Sequence, residues 1–300
     1  MQNRRNFLKF AALLGGSAML SSGRSEASSY GGVASRSAFL LWQLDLSHTP
    51  SQGNAYVFRT RKGKIIVMDG GVPGEADYLR GFLASLGNEV EAWFVSHPHS
   101  DHTGALNEIL KNPRGINIRT IYHSEFSRTH YEREPGSAPL TEDFYNSLQK
   151  TPAKVENITR LGQTVEIDGV KFKILALKNE EITTNPYNNS SMVIRVWDGA
   201  RSAVFLGDAG IEEGDKLLNG EFRKDLDCDF LQMAHHGQQG VSREFYRSVK
   251  FKACLWPTPQ WLWTNNNGTG PFKTLETRAW IDELNIEKHF LMWEGLDVIA

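Results

Sequence analysis

Cysteine is nearly absent from this sequence. Cys228 and Cys254 are the only two in 300 residues, too few for a disulfide framework or a zinc site of four thiolates. Any metal must therefore be held by histidine and carboxylate. Net charge is scarce as well: 33 Lys+Arg against 35 Asp+Glu leave −2, without the concentrated positive field that grips a nucleic-acid backbone. No apolar run reaches the roughly 20 residues of a membrane span, and there is no internal repeat and no low-complexity tract. The remainder, 40% hydrophobic and 23% charged, is the balance of a soluble globular protein and excludes a collagen, a coiled coil or a disordered tail. The length suits one large α/β domain or two small ones.

The first 27 residues read as an address. Asn3-Arg4-Arg5-Asn6-Phe7-Leu8-Lys9 is followed by an apolar run from Phe10 to Leu20, diluted by Gly15, Gly16 and Ser17, and by the small residues of Ser25-Glu26-Ala27. The three regions stand in the order of a signal peptide with cleavage after Ala27. The basic start resembles the twin-arginine consensus, which implies an exported domain, periplasmic or extracellular, spanning 28–300. That route carries proteins already folded, so the resemblance also implies a metal acquired before export. Residues 1–27 hold Arg4, Arg5, Lys9 and Arg24 against Glu26 alone, so their removal leaves a net charge of −5.

In the mature region, apolar alternation predicts a meander of three strands over Ala38–Leu46, Asn54–Thr60 and Lys64–Met68, closed by Asp69-Gly70-Gly71. Helical spacing of Tyr78, Leu79, Phe82 and Leu86 predicts a helix over Glu75–Leu86, ended by Gly87-Asn88. A buried strand at Val90–Ser96, a helix at Thr103–Lys111 and a strand at Ile116–Tyr122 follow. The polar stretch His123–Pro139 reads as an insertion or lid. Strands recur at 163–167, 170–177, 191–197, 202–206, 229–234, 251–256 and 288–293, with helices near 211–218, 242–249 and 274–284. The order of strands, helix, strand, helix, given twice, suits an α+β chain folded as a four-layer αββα sandwich.

The chemistry concentrates in His97-Pro98-His99-Ser100-Asp101-His102, at the end of a buried strand. Residues two apart in extended chain share a face, so His97 and His99 can hold one metal, while Asp101 and His102 reach a second position as the chain turns into a helix. Further ligands are expected at other strand ends. Asp208, after Phe205-Leu206-Gly207, can bridge two cations, although such a residue also caps helices. His235, after Phe230–Ala234, reads as a ligand, and His236 as a neighbour that orients ligands or faces substrate. Lesser features have plainer readings. Trp261 and Trp263 either stack on a substrate cation or fold their loop over the core. Arg128, Arg133 and Lys150 alternate with Glu125, Glu132 and Glu134 as a solvated face. His123, His130 and His289 read as structural, and His48 lies near where substrate loops fall.

Taken together, Asp69-Gly70-Gly71, the His97–His102 motif, Asp208 and His235 resemble the metallo-β-lactamase-fold hydrolases, in the family's order. The resemblance implies two divalent metal ions, usually zinc with manganese or iron as alternatives. They would be bridged by Asp208 and would activate water at neutral pH. It places Asp69 as the residue that orients a ligating histidine or the adjacent loop, and His236 as a proton donor or oxyanion holder. One departure stands out: no histidine occurs between His130 and His235, where the family has an additional ligand. Asn188-Asn189-Ser190-Ser191 and His235-His236-Gly237 are similar instead to the ComEC-type branch, which includes DNA-uptake channel domains and choline-phosphate esterases. The branch's His-Pro pair is replaced here by Pro271-Phe272-Lys273-Thr274. The resulting expectation is an exported hydrolase of a small phosphodiester or phosphocholine-like substrate. A nuclease, a lactone or β-lactam hydrolase and a non-catalytic metal-containing binding protein are the alternatives, and the negative charge counts against the nuclease.

Overall fold

A computed structural model of the chain describes residues 37–46, 52–264 and 272–294. The expected signal segment 1–27 and His48 lie outside the described residues, as do Asn265–Asn267 and Pro271. Fourteen strands among the described residues form two sheets of seven. The first sheet contains β1 (Phe39–Gln43), β2 (Ala55–Thr60), β3 (Ile65–Asp69), β4 (Glu89–Phe94), β5 (Asn117–Ile118), β6 (Thr120–His123) and β7 (Lys154–Asn157). The second contains β8 (Thr164–Ile167), β9 (Val170–Ile174), β10 (Ile194–Trp197), β11 (Ser202–Phe205), β12 (Phe230–Gln232), β13 (Ala253–Trp256) and β14 (Lys288–Leu291). Each sheet begins as an antiparallel meander, β1-β2-β3 and β8-β9-β10-β11, and continues in parallel strands. Parallel neighbours need crossovers, which the helices supply.

Those helices are α1 (Ala76–Ser85), α2 (Ser100–Lys111), α3 (Arg128–Tyr131), α4 (Ala138–Lys150), α5 (Ile211–Asn219), α6 (Arg243–Ser248), α7 (Gln260–Trp263) and α8 (Thr274–Asp282). Alternation sets the layers. In β9, Val170, Phe172 and Ile174 are buried while Lys171 and Lys173 are half-buried. The buried set meets Tyr56, Phe58, Met68 and Phe94 of the first sheet in one apolar cluster between the sheets. Phe58 lies edge-on to Phe172 at 5.7 Å, and Phe94 stacks on Phe172 at 5.0 Å. The far face of the second sheet packs on Leu217, Phe245, Tyr246 and Ile281 from α5, α6 and α8. On the far face of the first sheet Trp42 meets Phe82 of α1 edge-on at 5.8 Å. The αββα layering expected from the sequence is therefore the observed one. Cys228 and Cys254 are free, buried thiols. No helix among the described residues is long and apolar enough to cross a membrane.

The stretch read as an insertion is more ordered than its composition suggests. Ser127 caps α3 by accepting the His130 N–H, and Thr141, Phe144 and Leu148 give α4 a buried face. Neither α4 nor the short β7 was expected.

Candidate metal centre

The carboxyl ends of β3 and β4 in the first sheet, and of β11 and β12 in the second, open onto one place. From there the chain delivers Asp69, the His97–His102 segment, Asp208, and His235 with His236. Asp101, His102, Asp208 and His236 converge so that one ligand atom of each lies within 4.8 Å of every other. His102 Nε2 is 3.1 Å from Asp208 Oδ1. His236 Nε2 is 3.2 Å from Asp101 Oδ2 and 3.4 Å from Asp208 Oδ2.

The supporting shell fixes which nitrogen faces inward. His102 Nδ1 lies 2.8 Å from Asp69 Oδ2, and His236 Nδ1 lies 3.1 Å from the Pro257 carbonyl. Both partners accept only, so each Nδ1 carries a proton and each ring turns Nε2 toward Asp208, the atom that a cation would take in place of a proton. His102 Nε2, His236 Nε2 and Asp208 Oδ1 are all buried, and close as they stand to one another and to Asp101 none of them makes a hydrogen bond of good geometry. Leaving three such atoms together is costly unless something binds them. Two imidazoles and two carboxylates with unshared lone pairs suit a divalent cation of the zinc, manganese or iron kind, so the residues present fit the metal that the sequence reading expected.

Electrostatics agree. Burial opposes ionisation of Asp208, yet His102, His236 and His235 hold its carboxyl well below the usual range. Burial would likewise depress His102, but Asp208 and Asp69 hold it well above an ordinary histidine. His236 is depressed by burial and pushed back up to about 9 by Asp208 and Asp101. The two carboxylates thus demand positive charge at the place where the donors converge.

Asp69 has left-handed backbone (φ 56), which turns its side chain back under β4. There it accepts from Ser96 N, Ser96 Oγ and Asn54 Nδ2 at 2.8, 2.9 and 2.9 Å, besides His102. Asp208 is set by two residues that sequence reasoning missed or passed over. Gln232 clamps Gly207 from both sides, accepting its N–H and donating to its carbonyl at 2.8 Å each. Ser191 Oγ accepts the Asp208 N–H at 3.0 Å.

His97 and His99 stand beside this cluster rather than in it. His97 Nε2 and His99 Nδ1 face each other at 3.0 Å. His99 Nε2 is anchored on Glu134 Oε2 at 2.9 Å, so Glu134 leaves the solvated face assigned to it and supports a site histidine. The adjacent histidines divide differently from the sequence reading, which put His235 among the ligands and His236 toward substrate. His236 enters the four-residue cluster, whereas His235 Nε2 stops 3.8 Å from Asp208 Oδ2. The cause is a left-handed turn at His235, His236 and Gly237 (φ 51, 54 and 74), which breaks the alternation of an extended strand end. His130 is buried but turned to Ser190 and Arg133. Trp263 is half-buried and packs against the core, edge-on to Trp256 at 5.0 Å, while Trp261 lies at 5.5 Å from Phe272.

A cavity of about 480 Å³ adjoins the cluster and includes His235, Gln52 and Gln238 in its wall. Gln52 Nε2 reaches Asp101 Oδ2 at 3.4 Å, and Gln238 donates to Gln52 at 3.1 Å. Among the described residues its lining has side-chain amides, Glu212 and Phe272, and neither lysine nor arginine.

Comparison with known proteins defines the class. Residues 48–251 match the model of the metallo-beta-lactamase superfamily, and the chain belongs to that superfamily. Within it, the cluster marks a metal-dependent hydrolase. Solved structures repeat the fold at low identity. The metallo-beta-lactamase fold protein YhfI from Bacillus subtilis is 11% identical with a TM-score of 0.52, over 84% of this chain and 95% of that one. The beta-hydroxylase CmlA is 13% identical with a TM-score of 0.52, over 85% of this chain and 52% of that one. A diphosphatase from the PhnP family is 14% identical with a TM-score of 0.45, over 78% and 94%. No curated protein sequence matches.

Proposed function

We propose that this chain is an exported, metal-dependent phosphoesterase acting on a small phosphodiester or phosphocholine-like substrate, in the manner of the ComEC-type branch. The observation that carries the reading is the convergence of Asp101, His102, Asp208 and His236, three of them with buried ligand atoms that make no hydrogen bond, beside a cavity whose described lining holds neither lysine nor arginine. Divalent cations held by Asp101, His102, Asp208 and His236, with His97 and His99 alongside, supply Lewis acidity and lower the pKa of water. Asp69 and the Pro257 carbonyl keep the two ligating imidazoles in one tautomer and orientation. Gln232 and Ser191 hold the Asp208 loop so that its carboxylate does not reorganise during reaction. The cavity orients the non-reacting part of the substrate. Its amides suit neutral polar groups, and Glu212 with the Phe272 ring suits a cationic head such as a quaternary ammonium. A polyanion finds no partner there, which supports a small substrate over nucleic acid.

The test is a panel of phosphodiester, phosphomonoester, lactone, β-lactam and DNA substrates with metal-loaded protein. Preferential hydrolysis of small phosphodiesters is expected. Turnover confined to lactones or β-lactams, or none at all with metal bound, refutes the reading. Export rests on the N-terminal pattern alone, and replacing Arg4 and Arg5 by lysine is expected to leave the protein inside the cell on fractionation.

A further inference from the structure

The stretch read from sequence as an insertion or lid meets the metal centre at one residue. Glu134 stands in the turn between α3 and α4, where its N–H reaches the Tyr131 carbonyl at 3.2 Å and its carbonyl accepts from Ser137 and Ala138 at 2.9 Å each. Its side chain has two oxygens with different partners. Oε2 lies 2.9 Å from His99 Nε2, with Ser137 Oγ donating to it at 3.4 Å, and Oε1 accepts the Tyr187 N–H at 3.2 Å. Tyr187 is fully buried. Its ring stacks on His99 at 4.7 Å and 14°, and its hydroxyl donates to the Tyr131 carbonyl at 3.1 Å. One imidazole is gripped at its edge by Glu134 and on its face by Tyr187, and both grips end on the same turn.

A carboxylate accepts only, so the neutral His99 ring carries its proton on Nε2 and its lone pair on Nδ1. That Nδ1 faces His97 Nε2 at 3.0 Å. His97 is not fixed in this way. Its Nδ1 has the hydroxyls of Ser96 and Ser191 at 3.1 and 3.5 Å, and a hydroxyl either donates or accepts.

We propose that Glu134 is a positioning residue of the centre, which commits His99 to presenting its Nδ1 lone pair beside His97. The turn that carries it is on this reading a fixed buttress and not a lid, since it cannot swing away without releasing His99. Glu134→Gln exposes the commitment. The Tyr187 backbone N–H can only donate, so it draws the glutamine oxygen and leaves the NH2 against His99 Nε2. The imidazole can answer by moving its proton to Nδ1, and the lone pair beside His97 is lost.

The inference rests on the metal-dependent reading above, and the experiment separates the two. Full-length protein with 15N-labelled histidine rings is stripped with chelator. At alkaline pH the ring-nitrogen shifts report which nitrogen of His99 holds the proton, and the signals are assigned by their loss in His99→Phe. Wild type is expected to hold it on Nε2 and Glu134→Gln on Nδ1. Titration with Zn²⁺ alone against a competing chelator should then show the glutamine variant binding about 10- to 100-fold more weakly. A wild type with the His99 proton on Nδ1 overturns the proposal, whether or not the variant folds. A glutamine variant that keeps the Nε2 proton overturns it too, even if its affinity falls, as does one with wild-type affinity for Zn²⁺. A wild type that binds no Zn²⁺ overturns the metal-dependent reading instead, and the proton position alone then decides the role of Glu134.

Discussion

Asp69→Asn is the sharpest probe of the centre, because it preserves shape and changes only one atom's role. In the structure Oδ1 accepts from Ser96 N at 2.8 Å, and Oδ2 accepts from Asn54, Ser96 Oγ and His102 Nδ1 at 2.9, 2.9 and 2.8 Å. Placed at Oδ1, the new NH2 opposes a backbone N–H that has no other partner in reach. Placed at Oδ2, it opposes both the Asn54 amide N–H and His102, and the second conflict is relieved only by moving the imidazole proton from Nδ1 to Nε2. That atom faces Asp208 Oδ1 at 3.1 Å, so the ring then presents N–H where it should present a lone pair. Losing the group that orients a ligating histidine weakens metal binding by about 10- to 100-fold, or about 1.4–2.7 kcal/mol. The unpartnered donor costs a further ~1–3 kcal/mol of stability in the metal-free protein. Chelator-competition titration reads the first quantity and urea unfolding in excess chelator the second. A variant that binds metal with wild-type affinity would refute the role given to Asp69.

Three further outcomes follow from the same structure. Burial, reinforced by Lys178, lowers the pKa of His123 from 6.5 to about 4. The unfolded chain therefore binds the extra proton between those values, and stability present above pH 6.5 is lost as pH falls toward 4. The loss is about 3 kcal/mol when complete, and His123→Phe should flatten that limb in urea unfolding between pH 7.5 and 4, parallel curves refuting it. Gly237→Ala places a Cβ 2.6 Å from Trp256 at φ +74, so denaturant unfolding should show a loss of at least about 2 kcal/mol. Gln232→Leu leaves the Gly207 N–H buried without its acceptor, with a cost of about 1–3 kcal/mol and reduced turnover as the Asp208 loop loosens.

Much of this was legible in the sequence for identifiable reasons. Buried strands followed by histidine or aspartate are strong patterns, and the spacing within His97–His102 survives any adjustment of strand ends. The division between His235 and His236 was not legible, because it depends on left-handed backbone at two residues that alternation cannot anticipate. Glu134 was hidden among surface charges of alternating sign, and only the fold brings it to His99 from 35 residues away. The helix α4 was masked by Pro135-Gly136 before it and by the sparse apolar face of Thr141, Phe144 and Leu148. Gln232 carried no signal at all: a glutamine in an apolar strand looks like an interruption until its two bonds to Gly207 are seen.

The centre draws Asp101 and His102 from one sheet and Asp208 and His236 from the other. A cation seated there is consequently a crossbar between the halves of the sandwich, and occupancy and cohesion become one property. At a free metal concentration a hundredfold above the dissociation constant, such a crossbar adds about 2.7 kcal/mol to the folded state. A chain made under metal starvation would then be loose as well as idle, and more open to proteases that sample transiently unfolded chains. Loss of activity and loss of the protein itself would arrive together.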